Sequence, residues 1–136
     1  MNIVIITAAI RSTIGYPAFA AIRLMITEMD IKTLPEPGSD TGADITRNYE
    51  MQSRLNPYQG GLPDSMQVKL SDRYAELFKV LIKYKDNISR VTFWGVHDGV
   101  SWCNNWPVSG RTDYPLLFNR ELKPKPAFYK LVRLME

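Results

Sequence analysis

Glu28 and Asp30 stand two residues apart in Ile26-Thr27-Glu28-Met29-Asp30-Ile31, the end of an apolar run that begins at Ile22 and turns polar. Residues two apart in a strand share a face, so the two carboxylates are presented together at the strand's C-terminal edge. A carboxylate there is costly to desolvate. Glu28 is therefore a stronger candidate for acid–base or nucleophilic work than a solvated Glu on a helix. The competing reading is a rim carboxylate held in a structural ion pair.

Further along, Trp94, Trp102 and Trp106 gather around the end of a second candidate strand. Flat apolar faces of this kind suit sugar rings, whose hydroxyls need polar partners such as Asn104, Asn105 and Arg111. For any single Trp the alternative is a core position. His97, the one histidine, suits a rim hydrogen bond, and with no second His or Cys beside it a metal role has no support. Cys103 is the one cysteine and would act as a nucleophile only if His97 folded over it.

These residues need elements to hold them. Ile3 to Ile10 is rich in Ile and Val and reads as a strand, although periodicity does not separate it from a buried helix. Tyr16-Pro17 breaks the chain, and Ala18 to Ile22 is too short for an independent helix. Ile22 to Ile31 reads as a parallel strand leaving a buried sheet. Thr33 to Pro63 carries four prolines and four glycines with little periodicity, which predicts one long functional loop. Asp64 with Gln67 forms a capping-box pattern, and Met66, Leu70, Tyr74, Leu77, Phe78 and Leu81 recur at helical spacing to about Asp86. Arg90 to Val96 is a second strand ending in His97-Asp98-Gly99. The order is a βαβ unit with a right-handed crossover and a parallel sheet. A last helix after Pro124 and Pro126 has Phe128, Leu131, Val132 and Met135 on one face.

Composition bounds the class. With 136 residues, 45% hydrophobic and 23% charged, the chain suits one globular domain and not a disordered one. The net charge of +3 is scattered, without the basic block of a nucleic-acid arm. One cysteine excludes an internal disulfide and a cysteine-based zinc site. Asn2 to Ile10 has no Lys or Arg before it, and Arg11 ends it too early for a membrane span, so neither a signal peptide nor a transmembrane helix is expected there.

Taken together, the motifs resemble glycoside hydrolase family 10, the endo-1,4-β-xylanases. Ile26-Thr27-Glu28-Met29-Asp30-Ile31 resembles the family's nucleophile strand, usually Ile-Thr-Glu-Leu-Asp. Val91-Thr92-Phe93-Trp94-Gly95-Val96 with Ser101-Trp102 is similar to its last barrel strand and loop. Pro115-Leu116-Leu117-Phe118-Asn119 with Pro124-Lys125-Pro126-Ala127 is similar to its closing segment. The resemblance implies a (β/α)8 TIM barrel of the α/β class, of which strands seven and eight are readable here. It divides the chain into a divergent segment, 1–22, and the C-terminal part of the barrel, 23–136. It implies retaining hydrolysis of β-1,4-xylan, with Glu28 as nucleophile, Asp30 as the carboxylate that helps set its hydrogen bonds, and Trp94 and Trp102 around the bound sugars. No cofactor and no metal are implied. The expected partner is xylan or xylo-oligosaccharides, with neither nucleic acid nor membrane, and with another fragment or copy completing the barrel. Family members are usually secreted or periplasmic.

Two family features are missing from these 136 residues. No Asn-Glu pair occurs to match the acid/base Glu, and the sixth-strand His that partners the nucleophile has no recognisable counterpart. A complete barrel takes about 250 residues. The sequence therefore predicts weak or absent hydrolysis by the chain alone, with a non-catalytic xylan-binding or assembly fragment as the alternative.

Overall fold

The computed structural model describes residues 2–12, 22–36, 53–106 and 110–136. Tyr16-Pro17, the alanines before Ile22, and residues 37–52 of the long loop lie outside them. Three strands form one sheet in the order β1 (Asn2–Ser12), β2 (Ile22–Lys32), β3 (Ile88–Phe93). Helix α1 (Asp64–Lys83) connects β2 to β3, and helix α2 (Pro126–Met135) closes the described chain. The β2–α1–β3 segment is the expected βαβ unit, with β2 and β3 parallel from Leu24 against Ile88 to Met29 against Phe93.

β1 runs antiparallel to β2, from Asn2 opposite Lys32 to Ser12 opposite Ile22. Chain length accounts for this direction. Only residues 13–21 separate the two strands, and a parallel neighbour needs a crossover of a dozen or more residues.

The core lies between one face of the sheet and the two helices. Ile26, Met29 and Ile31 of β2 meet Leu70 and Tyr74 of α1 and Ala127 and Leu131 of α2, with Leu62 at the loop end. Phe93 of β3 adds ring contacts to Tyr74 and Phe78, with centroids 5.7 and 6.2 Å away. The α1 stripe predicted from periodicity is thus the core face, Met66, Leu77, Phe78 and Leu81 packing partly buried beside it.

Several boundaries differ from the sequence reading. Pro63, not Asp64, is the N-cap of α1, and no side chain caps it. The Pro63 carbonyl accepts from the amides of Met66 and Gln67, leaving the capping-box pair unformed, while Asp64 complements the helix dipole in the first turn. The helix stops at Lys83, and β3 spans Ile88–Phe93 because the chain bends at Trp94 and again at Val96. Gly95 has φ +145°, a conformation strained for any L side chain, and a Cβ there would also meet Leu116 Cδ1 at 2.9 Å, so a larger residue is disfavoured. On α2, Ala127 and Leu131 are buried while Met135 is exposed, so the core face is rotated from the predicted one. Within the predicted long loop, residues 53–55 are helical.

Candidate active site

The local geometry of β2 decides what Glu28 and Asp30 can do. Ile26 pairs with Val91 and Met29 with Phe93, so three steps on β2 answer two on β3. The ladder to β1 is also irregular here, with Thr7 opposite Glu28 and Ala8 opposite Ile26. This bulge places both Ile26 and Met29, an odd number of residues apart, in the core. Beyond it the alternation is regular. Met29 and Ile31 point into the core, while Glu28, Asp30 and Lys32 form a row on the other face. Bulges commonly re-aim side chains beside active sites, and this one sits next to the candidate nucleophile.

Trp102 is anchored on that row. Its indole Nε1 donates to Asp30 Oδ2 at 2.7 Å, and Lys32 Nζ lies 5.2 Å from the ring centroid. Asp30 is only 1% exposed, and its Oδ1 has no hydrogen-bond partner among the described residues. Burial raises its pKa to about 6; the Trp102 hydrogen bond opposes the rise, and the charges of Asp113, Glu28 and Asp98 add to it. Glu28, one strand repeat of roughly 6.7 Å before Asp30, is half-buried.

The loop after β3 is held by buried polar contacts. His97 caps the 3-10 turn Asp98–Val100, its Nδ1 accepting from the Gly99 amide at 3.2 Å, the rim hydrogen bond expected of it. Asp98 accepts from Lys125 Nζ through both carboxylate oxygens and from the Leu116 amide. Burial pushes the Asp98 pKa up and the Lys125 pKa down, against their mutual attraction. Asp113 Oδ1 accepts from the Thr33 amide at 2.9 Å, the Thr33 hydroxyl at 2.6 Å and the Tyr114 amide at 2.8 Å.

The other candidates are distributed unevenly. Trp94 is 50% and Trp106 60% exposed at the end of β3 and in its loop, positions suited to contact with a ligand. Asn104 directs its amide inward: Nδ2 donates to the Asp98 carbonyl, and Oδ1 accepts from the Asp113 amide and from Arg120. Arg111, only 5% exposed, donates through Nε to the Leu55 carbonyl and through a terminal nitrogen to the Pro35 carbonyl. It thereby joins the segments on either side of residues 37–52. Asn105 Oδ1 accepts from the Gly110 amide. Cys103 is buried with its Sγ pKa pushed up to about 12 by desolvation, so the thiol is not an activated nucleophile.

Lys32, Thr33, Asp98, Asp113 and Lys125 complete the constellation beyond the residues read from sequence. Lys32 had a usable signal, since it extends the two-residue period of Glu28 and Asp30. The Thr33–Asp113 contact joins positions eighty residues apart and leaves no local pattern. Among the described residues, no group of three or more His, Cys, Asp or Glu side chains could hold a metal ion, and no helix is long and apolar enough to cross a membrane.

The profile described as glycosyl hydrolase family 10 matches residues 4–134. The chain is 45% identical over 117 residues to endo-1,4-beta-xylanase A of Xylanibacter ruminicola, a match covering 86% of this chain and 32% of that protein. It is also 45% identical over 109 residues to a beta-1,4-xylanase of Dictyoglomus thermophilum, covering 78% and 30%. The solved structure of a GH10 endoxylanase from a sugarcane soil metagenome is similar with a TM-score of 0.74 and 43% identity, over 86% of this chain and 32% of that one. Another, 32% identical with a TM-score of 0.57 over 79% and 28%, is a complex with xylotriose. The chain thus spans about a third of the length of the curated relatives it matches.

Proposed function

From the premise that this chain belongs to glycosyl hydrolase family 10, whose fold is the (β/α)8 barrel that β2, α1, β3 and α2 form in part, we propose that it carries the nucleophile half of a retaining β-1,4-xylanase site. The observation that carries this reading is the row on β2. Glu28 shares a face with buried Asp30, and Asp30 holds the indole of Trp102 beside it.

In the proposed reaction the Glu28 carboxylate attacks the anomeric carbon of a xylosyl unit. The glycosidic C–O bond breaks as the glycosyl–Glu28 bond forms, and the leaving oxygen takes a proton from an acid. Water then attacks the anomeric carbon, giving a proton to the same group now acting as base, as the glycosyl–Glu28 bond breaks; this releases Glu28, regenerates the acid and gives net retention. The second carboxyl group belongs about 5 Å from the first. Asp30 is unsuited to that role because it is buried beneath Trp102. No Asn-Glu pair in the 136 residues matches the family's acid. General acid help is worth about 10²- to 10⁴-fold, so the chain by itself is expected to leave natural xylan almost untouched.

An activated aryl β-xylobioside tests the reading, since its leaving group needs little protonation. Release of aryl alcohol by the purified chain, abolished in Glu28→Gln, is the expected result. No Glu28-dependent release from folded chain overturns the catalytic half-site.

A second reading, a non-catalytic xylan-binding or assembly fragment, draws on the exposure of Trp94 and Trp106 and on β3, which pairs on one side only among the described residues. Xylotriose affinity unchanged by Glu28→Gln but reduced by Trp102→Ala, with no cleavage, favours it. A mass that rises with concentration favours assembly with another copy.

A further inference from the structure

Trp102 is restrained in two directions at once. The hydrogen bond from Nε1 to Asp30 acts at the ring edge, in the indole plane, whereas the Lys32 ammonium acts along the normal to that plane, 5.2 Å from the centroid. A carboxylate hydrogen bond at the edge fixes rotation of the ring, and a cation over one face covers that face. Lys32 is itself constrained, being nearly buried and paired with Glu36 Oε1 at 3.1 Å. All the anchors come from β2 or the residues immediately after it, so the ring is tied to the strand that carries Glu28.

We propose that Asp30 and Lys32 are positioning residues for the Trp102 indole, locking it so that the face away from Lys32 is presented to a sugar beside Glu28. The inference rests on the glycosidase reading and adds to it a means by which the strand that carries the nucleophile also sets the sugar-stacking surface. Pre-ordering the indole spares the cost of immobilising it on binding, about 0.5–1.5 kcal/mol for a side chain, which is about two- to tenfold in affinity.

The clamp is coupled to a proton. Asp30 Oδ2 is engaged by Trp102 while Oδ1 has no partner among the described residues, so a proton has an open oxygen to occupy without displacing the indole. Protonation replaces a charge-assisted hydrogen bond with a neutral one of roughly half the strength. The charges acting on Asp30 are Glu28 from its own strand and Asp98 and Asp113 from the loops after β3, while Tyr74 of α1 and Cys103 of the loop, both held in their uncharged forms by burial, are in turn acted on by Asp30. Their balance, dominated by burial, sets the transition near pH 6.

The test follows the indole N–H signals of the ¹⁵N-labelled 136-residue chain by NMR between pH 4.5 and 8. The Trp102 signal is assigned by its loss in Trp102→Phe, and independently by elimination with Trp94→Phe and Trp106→Phe, both at exposed positions. The Trp102 signal is expected to shift with a midpoint near 6, and to stop titrating in Asp30→Asn. In Lys32→Met it is expected to move at fixed pH, with xylotriose bound about two- to tenfold more weakly. A Trp102 signal that is static with pH, that titrates unchanged in Asp30→Asn, or that sits at the random-coil position overturns the clamp. A clamp that titrates as expected while no indole responds to xylotriose refutes the sugar reading instead, so the two failures are distinct.

Discussion

Thr33 and Asp113 meet across eighty residues of chain: the amide and hydroxyl of Thr33 both donate to Oδ1 of Asp113, at 2.9 and 2.6 Å. The contact ties the first residue after β2 to the segment leading into α2, and so fixes the end of the strand that carries Glu28 and Asp30. Removing the hydroxyl in Thr33→Val takes from a buried carboxylate one of the three donors that Oδ1 has among the described residues. Hydrogen bonds to charged groups are worth about 1.5–3 kcal/mol, and a loss of that size is expected in urea unfolding. Asp113→Ala, which strands both amides, is expected to cost more.

Arg111 acts on the same connection from the other side. Its guanidinium is buried and bonds the carbonyls of Pro35 and Leu55. Arg111→Met is expected to lower stability by about 2–3 kcal/mol, measured by urea unfolding. Arg111→Lys should restore only part of this, because an ammonium lacks the planar fork that serves two carbonyls at once. A weakened affinity for xylotriose without loss of stability would instead identify Arg111 as a sugar ligand.

Lys125 and Asp98 form a buried ion pair between α2's N-cap and the turn after β3, with Nζ 2.9 Å from Oδ2. Lys125→Met leaves the Asp98 carboxylate buried without its cation, and a cost of about 3–5 kcal/mol is expected. The double variant Asp98→Asn/Lys125→Met should recover much of that loss in thermal unfolding, since no uncompensated charge remains.

Asp30 gives stability a pH dependence of unusual sign for a carboxylate. Its pKa rises from 3.8 to about 6 on folding, because burial disfavours the charged form. Between those values the folded chain binds a proton that the unfolded chain does not. Its contribution therefore improves as pH falls from above 6 towards 4, by up to about 3 kcal/mol. Unfolding free energies at pH 7.5 and 5.0 should show the wild-type chain gaining on Asp30→Asn at the lower pH. A difference that stays constant would show that Asp30 does not titrate in this window.

Cys103 should resist alkylation. With its thiol buried and its pKa pushed up to about 12, almost no thiolate exists at pH 8. Labelling by iodoacetamide is expected to follow unfolding in urea and to be negligible before it, as read by mass spectrometry. Rapid modification of the folded chain would contradict the buried position.

Much of the βαβ unit was legible because its signals are local. The spacing of Leu70, Tyr74, Leu77, Phe78 and Leu81 marks one helical face, and that face meets the sheet. The cap of α1 differs from the predicted one because Asp64 and Gln67 satisfy the capping-box pattern, whereas the Pro63 carbonyl, which any residue type would provide, does the bonding. Composition does not give the direction of β1, but the nine residues 13–21 between the strands are too few for a parallel crossover.

Residue type and two-residue spacing by themselves put Glu28 and Asp30 on one strand face, and the tryptophans at the end of the next strand read as a sugar-suited cluster; that the two belong to one site is what the family resemblance implies. Alternation along a strand and the cost of burying a carboxylate hold whatever the surroundings. Tertiary structure decided the rest: the bulge between Ile26 and Met29, the bond from Trp102 to Asp30, the ammonium of Lys32 over the indole, and the commitment of Arg111 and Asn104 to loop contacts. Each depends on which backbone and side-chain atoms come within a few ångströms after the chain has closed on itself. Such pairings join positions up to eighty residues apart, and no periodicity in the sequence encodes them.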